Sequence, residues 1–129
     1  MKYLIDSDVV ADYLKGIPLA VQQVSAIPRS DIGISIITYG EIYDGIDGSY
    51  DPKEAEAVFR TFLRLADVLP LNRSIMRQFA SVRRHLRSRG QLIQDMDMLI
   101  AATALHHSLI LMTRNLSHFE RIPSIMLYP

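Results

Sequence analysis

Along the chain, short unbroken apolar runs alternate with longer stretches in which apolar residues recur every three or four positions. The runs are Tyr3-Leu4-Ile5, Ile32 to Ile36, Val68 to Leu71, Leu109 to Met112 and Ile125 to Leu127. Runs this short, rich in β-branched residues, predict buried strands. Leu109-Ile110-Leu111-Met112 shows no alternation, as in a strand covered on both faces. Pro70 weakens the third run. Between the runs, helices are predicted over Val9–Leu14, stopped near Gly16, and over Pro18–Ala26, with proline in the first turn. Another spans about Thr38 to Ile46 and is closed by Gly48. Pro52 opens a helix whose Ala55, Val58, Phe59, Phe62, Leu63 and Ala66 form one apolar stripe. Asn72 is a candidate cap for a helix with Ile75, Phe79, Val82 and Leu86 on its core face, ended by Gly90. An alanine-rich helix covers about Asp95 to His107.

Strands separated by helices predict an α/β domain with a mostly parallel sheet of four to five strands and helices on both faces. Its connections should be right-handed. The 129 residues fit one domain. Hydrophobic residues make up 49 %, enough for a core and against disorder as the main state. Cysteine is absent, which excludes disulfides and thiolate metal sites. No stretch approaches the roughly 20 apolar residues that cross a bilayer, and the N-terminal apolar run breaks at Asp6, too soon for a secretory signal. A soluble cytoplasmic protein is the expectation.

Ligands of open parallel sheets gather beyond the carboxyl ends of the strands. Asp6 directly follows the first strand, and Glu41 lies early in the helix after the second. Asp97 is near the start of the alanine-rich helix, and Thr113-Arg114-Asn115 follows the strand at Leu109–Met112. All four places belong to one edge of the sheet, so distant residues should converge on one cleft. Three carboxylates brought together repel, and a divalent cation relieves the repulsion. Mg²⁺ suits such oxygen ligands and keeps several waters, an arrangement fitted to phosphodiester hydrolysis. Each acid alone has a plainer reading: Asp6, Ser7 or Asp8 as a helix cap, Glu41 as an exposed helix residue. Only their joint placement favours chemistry.

The segments YLIDSDVVADYL, ISIITYGEI, DMDMLIAATAL and LILMTRNLSHFERIP, taken together, resemble the PIN-domain ribonucleases, specifically the VapC-type toxins of toxin–antitoxin pairs. The resemblance spans nearly the whole chain and is most specific from Asp97 to Arg121. It implies a three-layer α/β/α fold and Mg²⁺-dependent endoribonuclease activity, with Mn²⁺ as an alternative ion. Asp6, Glu41 and Asp97 match the three family acids, and Asn115 matches a fourth position that is often Asp. That departure lowers the acidic charge and favours one strong metal site. Asp6 and Asp97 would then hold the metal directly. Glu41 would orient or deprotonate the attacking water, or ligate through it. Attack would be in line on an RNA phosphate by metal-activated water. Asp95 is an extra acid, either behind the ligands or an N-cap. Ser7 and Thr113 are candidates to hold metal-bound water, or else turn residues bonded to their own backbone. The resemblance also implies homodimers and an antitoxin of the VapB kind whose tail covers the acidic groove. The helices at Val9–Leu14 and Pro18–Ala26 and the stripe helix are candidate contact surfaces, against ordinary core packing.

Formal net charge is +0, so RNA contact has to come from local charge. Arg73, Arg77, Arg83, Arg84, Arg87 and Arg89 form an acid-free run. Arg83, Arg84 and Arg87, with Arg114 beside the site, are candidates for phosphate contact; the alternative is a solvated helix face. His106 and His107 should point apart, and His85 and His118 are read as ordinary surface or core-edge residues, which disfavours a zinc hydrolase. One rival reading is a haloacid-dehalogenase-like phosphatase, in which Asp6 is the nucleophile and Asp8 the general acid. It lacks the lysine expected after a late strand, since the lysines are Lys2, Lys15 and Lys53. Another is a non-catalytic module that grips RNA or protein.

Overall fold

The computed structural model describes residues 1–129. Five short strands carry the sheet: β1 (Tyr3–Ile5), β2 (Ile32–Ser35), β3 (Asp67–Leu69), β4 (Ile110–Met112) and β5 (Met126–Leu127). Seven α-helices surround it: α1 (Ser7–Leu14), α2 (Pro18–Ser25), α3 (Ile36–Asp47), α4 (Pro52–Leu63), α5 (Arg73–Ser88), α6 (Asp95–His106) and α7 (Leu116–Phe119). Every strand pairing is parallel, and the spatial order is β3-β2-β1-β4-β5.

Alternation along each strand sorts the core into two halves. Ile5, Ile32, Ile34 and Met112 pack with Val9, Val10, Ala20, Val24, Ile42, Ile46, Phe59 and Phe62 from α1 to α4. Leu4 and Leu111 face the other way, onto Val82, Leu86, Met98, Ile100, Ala101 and Ala104 from α5 and α6, with Phe119 from α7. Neighbouring residues of one strand thus serve opposite cores, which is why the runs read as continuously apolar. The result is the expected three-layer α/β/α arrangement, with five parallel strands. No helix is long and apolar enough to cross a membrane.

Several element ends differ from the sequence reading, and side-chain caps explain most of them. The β2 run stops at Ser35, whose hydroxyl accepts the Ile37 N–H at 3.0 Å, so α3 begins at Ile36 rather than Thr38. Asp6 occupies the cap position of α1, so that helix begins at Ser7 rather than Val9. Gln94, not Asp95, stands at the cap of α6. The predicted Val68–Leu71 strand is Asp67–Leu69, ended before Pro70, and β5 excludes Ile125. Asn72 caps α5 as expected, its Oδ1 accepting from Ile75 N–H at 2.8 Å. Both edges of the sheet are short: β3 is three residues and β5 two, flanked by Pro70 and by Pro123 and Pro129.

The α4 stripe is real but narrower than its spacing suggests. Phe59 and Phe62 are buried, while Val58 is 37 % exposed on the flank. Phe59 meets Tyr39, Tyr43 and Phe62 at centroid distances of 5.5–6.3 Å. Phe59→Ala is therefore expected to cost about 3–5 kcal/mol of unfolding free energy, and Val58→Ala less than about 1, as read from urea denaturation curves.

Candidate active site

In the strand order, β1 lies between β2 and β4. The chain leaves β1 towards β2 on one side and returns to β4 on the other, so the carboxyl ends of β1 and β4 form the switch point where such sheets open a crevice. Asp6 and Thr113 are the residues that follow these two strands. Asp6 N–H bonds the Met112 carbonyl at 2.9 Å and continues the pairing by one residue. Its carboxylate is buried at 5 % exposure. Oδ1 accepts the Ser7 N–H at 2.8 Å, and Oδ2 accepts the Thr113 hydroxyl at 2.7 Å. The cap and the site residue are thus the same side chain.

Around Asp6 the other acids stand within electrostatic reach. Burial, then the charge of Asp8, push the Asp6 carboxyl up to about 7, with Asp97 adding to the rise; the bonds from Thr113 and Ser7 oppose it. Asp97 is raised by burial and next by Glu41, while a positive charge on His118 acts the other way. Asp8 is raised by burial, against backbone bonds from Arg114 and Val9. These mutual effects place Asp6, Asp8, Asp97 and Glu41 in one neighbourhood, as the strand-edge argument expected.

Hydroxyl groups orient the acids. Ser7 Oγ is 2.6 Å from Glu41 Oε1 and 2.9 Å from Thr38 Oγ1. A carboxylate only accepts, so Ser7 donates to Glu41 and takes its own bond from Thr38. Thr113 repeats the device: it donates to Asp6 and accepts the Asn115 N–H at 3.0 Å. Ser7 therefore stands behind Glu41, and Thr113 does both: it stands behind Asp6 and closes a turn onto its own backbone, as the sequence reading allowed.

Other candidates separate. The Arg114 guanidinium donates to Gln23 at 2.7 Å and faces Asp12 at 3.8 Å, and its backbone N–H donates to Asp8 at 3.0 Å. It staples the β4–α7 loop to α1 and α2. Arg83 is paired with Asp95 at 3.0 Å, so Asp95 is neither cap nor directly bonded to Asp6, Glu41 or Asp97. Arg84 and Arg87 are exposed on α5. His106 and His107 do not point apart; their rings meet edge to face at 4.7 Å. The sequence reading missed His118, which lies 2.7 Å from Asn115 Nδ2 and near Asp97. Its position three residues after Asn115, one helical turn on, was the available signal. Thr38 was missed too, and only its place three residues past the end of β2 hinted at it.

The side chains do not close a ready cage of three or more ligands around one point. The raised carboxyls of Asp6 and Asp97, with Glu41 beside Asp97 and hydroxyl support, nevertheless fit a hard divalent cation, since Mg²⁺ typically takes only one or two protein carboxylates and keeps water for the rest. Without a cation the cluster should destabilise the fold with rising pH. A carboxyl whose folded pKa is raised keeps its proton in the folded chain while the unfolded chain releases it. Stability is then lost between about pH 4 and about pH 7 and stays low above, by an amount on the order of a few kcal/mol for Asp6. Thermal melting in EDTA should trace that fall, and Asp6→Asn should flatten it. Equal slopes in both proteins would remove Asp6 as its source.

A family model described as PIN domain matches residues 3–124. Ribonuclease VapC2 of Haemophilus influenzae is 31 % identical over 122 residues, covering 95 % of this chain and 92 % of the relative. Ribonuclease VapC1 of Methanocaldococcus jannaschii is 35 % identical over 121 residues, covering 94 % and 81 %. The crystal structure of DNA-bound VapBC from Salmonella typhimurium contains a chain that superposes with a TM-score of 0.92 at 27 % identity, over 99 % of this chain and 97 % of that one. With Asp6 after β1 and the acids of α3 and α6 near the switch point of a five-stranded parallel sheet, and with these likenesses over almost its full length, the chain belongs to the PIN-domain family and stands among its VapC ribonucleases.

Proposed function

We propose that this chain is a divalent-metal-dependent endoribonuclease, the toxin of a toxin–antitoxin pair, using Mg²⁺ or Mn²⁺. The observation that carries the reading is the carboxylate group at the switch point, in which Asp97 raises Asp6 and Glu41 raises Asp97. Relatives named as VapC ribonucleases support the substrate class, and the VapBC complex supports a VapB-like antitoxin as partner. A homodimer in the cytoplasm completes the reading.

Asp6 and Asp97 would hold the cation. Bound there, a divalent ion supplies Lewis-acid polarisation of a phosphoryl oxygen and lowers the pKa of a water. Glu41, fixed by the Ser7 hydroxyl, takes the proton of the attacking water. The water oxygen would add to phosphorus in line as the bond to the leaving oxygen breaks, the leaving alkoxide taking a proton from solvent water, so the ribose 2′-OH is not the nucleophile. Asn115, a neutral amide where the family often has Asp, keeps the charge of the site low enough for a single ion.

The phosphatase alternative fails on Asp8. Asp8 accepts the backbone N–H groups of Val9 and Arg114, and the family that matches residues 3–124 is a different one. A grip on RNA without cutting stays as an outcome of the test. With RNA and Mg²⁺, Asp6→Asn and Asp97→Asn are each expected to cut at least about 100-fold more slowly, and Ser7→Ala about 10-fold more slowly with KM little changed. Undiminished cutting by both Asn variants would refute the enzyme reading. Because Arg84 and Arg87 lack the partners that occupy Arg83 and Arg114, they should carry phosphate contact. Arg84→Ala/Arg87→Ala should weaken RNA binding and shallow its salt dependence by about one to two counterions, measured by titration at several salt concentrations.

A further inference from the structure

The loop between β4 and α7 is tied to α1 and α2 through one residue. Thr113 opens the loop and gives its hydroxyl to Asp6 Oδ2 at 2.7 Å. Arg114 follows, and both its backbone and its side chain reach across to the first two helices. Its backbone N–H donates to Asp8 Oδ2 at 3.0 Å. Its Nη1 donates to Gln23 Oε1 at 2.7 Å, and its Nε stands 3.8 Å from Asp12 Oδ2. A guanidinium and a backbone N–H only donate, so chemistry fixes the direction of these bonds. The Asn115 N–H then closes the loop onto the Thr113 hydroxyl at 3.0 Å. Asp8 and Asp12 stand one turn apart on α1, and Gln23 lies on α2.

We infer that Arg114 is a positioning residue: its side chain clamps the β4–α7 loop to Gln23 on α2, which keeps the Thr113 hydroxyl on Asp6 and so sets the carboxylate that takes the divalent cation. The inference rests on the metal-site reading above. Thr113 is the one protein donor to Asp6 Oδ2. A loop displacement of about 1 Å is enough to break a hydroxyl bond of that length, and a functional site tolerates only about 0.5 Å of drift in its groups. The loop has left the sheet after Met112, and the helix it enters is a single turn. Its side towards α1 and α2 therefore depends on Arg114. The long, half-exposed pair with Asp12 adds little, so the short bond to Gln23 carries the clamp. This role differs from the phosphate contact that the sequence suggested for Arg114, and the two make opposite predictions. Removing a partner that orients a metal ligand typically lowers affinity about 10–100-fold. Arg114 acts one bond further back, which places its effect at the low end.

The test is Mn²⁺ affinity of the full chain, measured by electron paramagnetic resonance, with thermal melting to confirm that each variant is folded. Arg114→Leu keeps the backbone N–H and loses the guanidinium, and it is expected to bind Mn²⁺ about tenfold more weakly. Gln23→Leu should lose affinity in the same direction. Gln23→Glu, whose carboxylate accepts the same guanidinium N–H, should recover it. In a Thr113→Val background, Arg114→Leu should change nothing further. Unaltered Mn²⁺ affinity in Arg114→Leu, with weaker RNA binding and a shallower salt dependence, would overturn the inference in favour of a phosphate contact. An equal loss with the Thr113 hydroxyl already removed would overturn it too, since Arg114 would then act by another route. Should Arg114→Leu not fold, the Gln23 pair carries the decision: affinity unmoved in Gln23→Leu, or as low in Gln23→Glu as in Gln23→Leu, would overturn it. Failure of the metal-site reading has a separate signature, namely no Mn²⁺ binding by the wild-type chain or binding indifferent to Asp97→Asn.

Discussion

A carboxyl group buried at the end of a central strand must be satisfied, and Asp6 is satisfied from two places far apart in the chain. One bond comes from the next backbone amide, the other from Thr113, 107 residues away. An isolated buried charge is costly, and hydrogen bonds meet only part of that cost. Asp6 remains raised to about 7 by burial and by its acidic neighbours. The same bonds begin α1, join the ends of β1 and β4, and place the loop that bears Asn115. The fold thus concentrates its one large electrostatic strain where a cation would relieve it.

Around that point the supporting residues follow a common logic. Ser7 and Thr113 each carry one hydroxyl proton, and each spends it on a carboxylate while accepting from a neighbour behind. Neither acid is left to choose its own rotamer. Asp8 and Arg114 tie the same two segments together one layer further out, with Asp12 and Gln23 as anchors. Arg114 is therefore occupied in architecture, whereas Arg84 and Arg87 on α5 are exposed and unpaired.

Strand existence and the converging acids were legible because both depend on short-range pattern and on the rule for parallel sheets. Leu4 and Ile5 had to be apolar to serve two cores, so their run was visible. Element ends were less so. Ser35 and Asp6 look like strand or loop residues until their side chains are seen to accept helix N–H groups. Val58 fits the α4 period yet lies at the margin of the buried stripe, a displacement that spacing alone does not resolve. Arg83 and Asp95 belong to different predicted helices, and their pairing depends on how α5 packs on α6. His118 was read as isolated because its partner is an amide, and no charge pattern marks such a pair.

The two-residue and three-residue strands at the margins of the sheet carry a consequence for self-association. An open edge offers unpaired amides to any passing extended chain. Here each margin is too brief to template another strand, and prolines without an N–H border both. Asp67 adds a charge on the β3 side. The margins of the sheet thus give a second copy of this molecule little backbone to pair with.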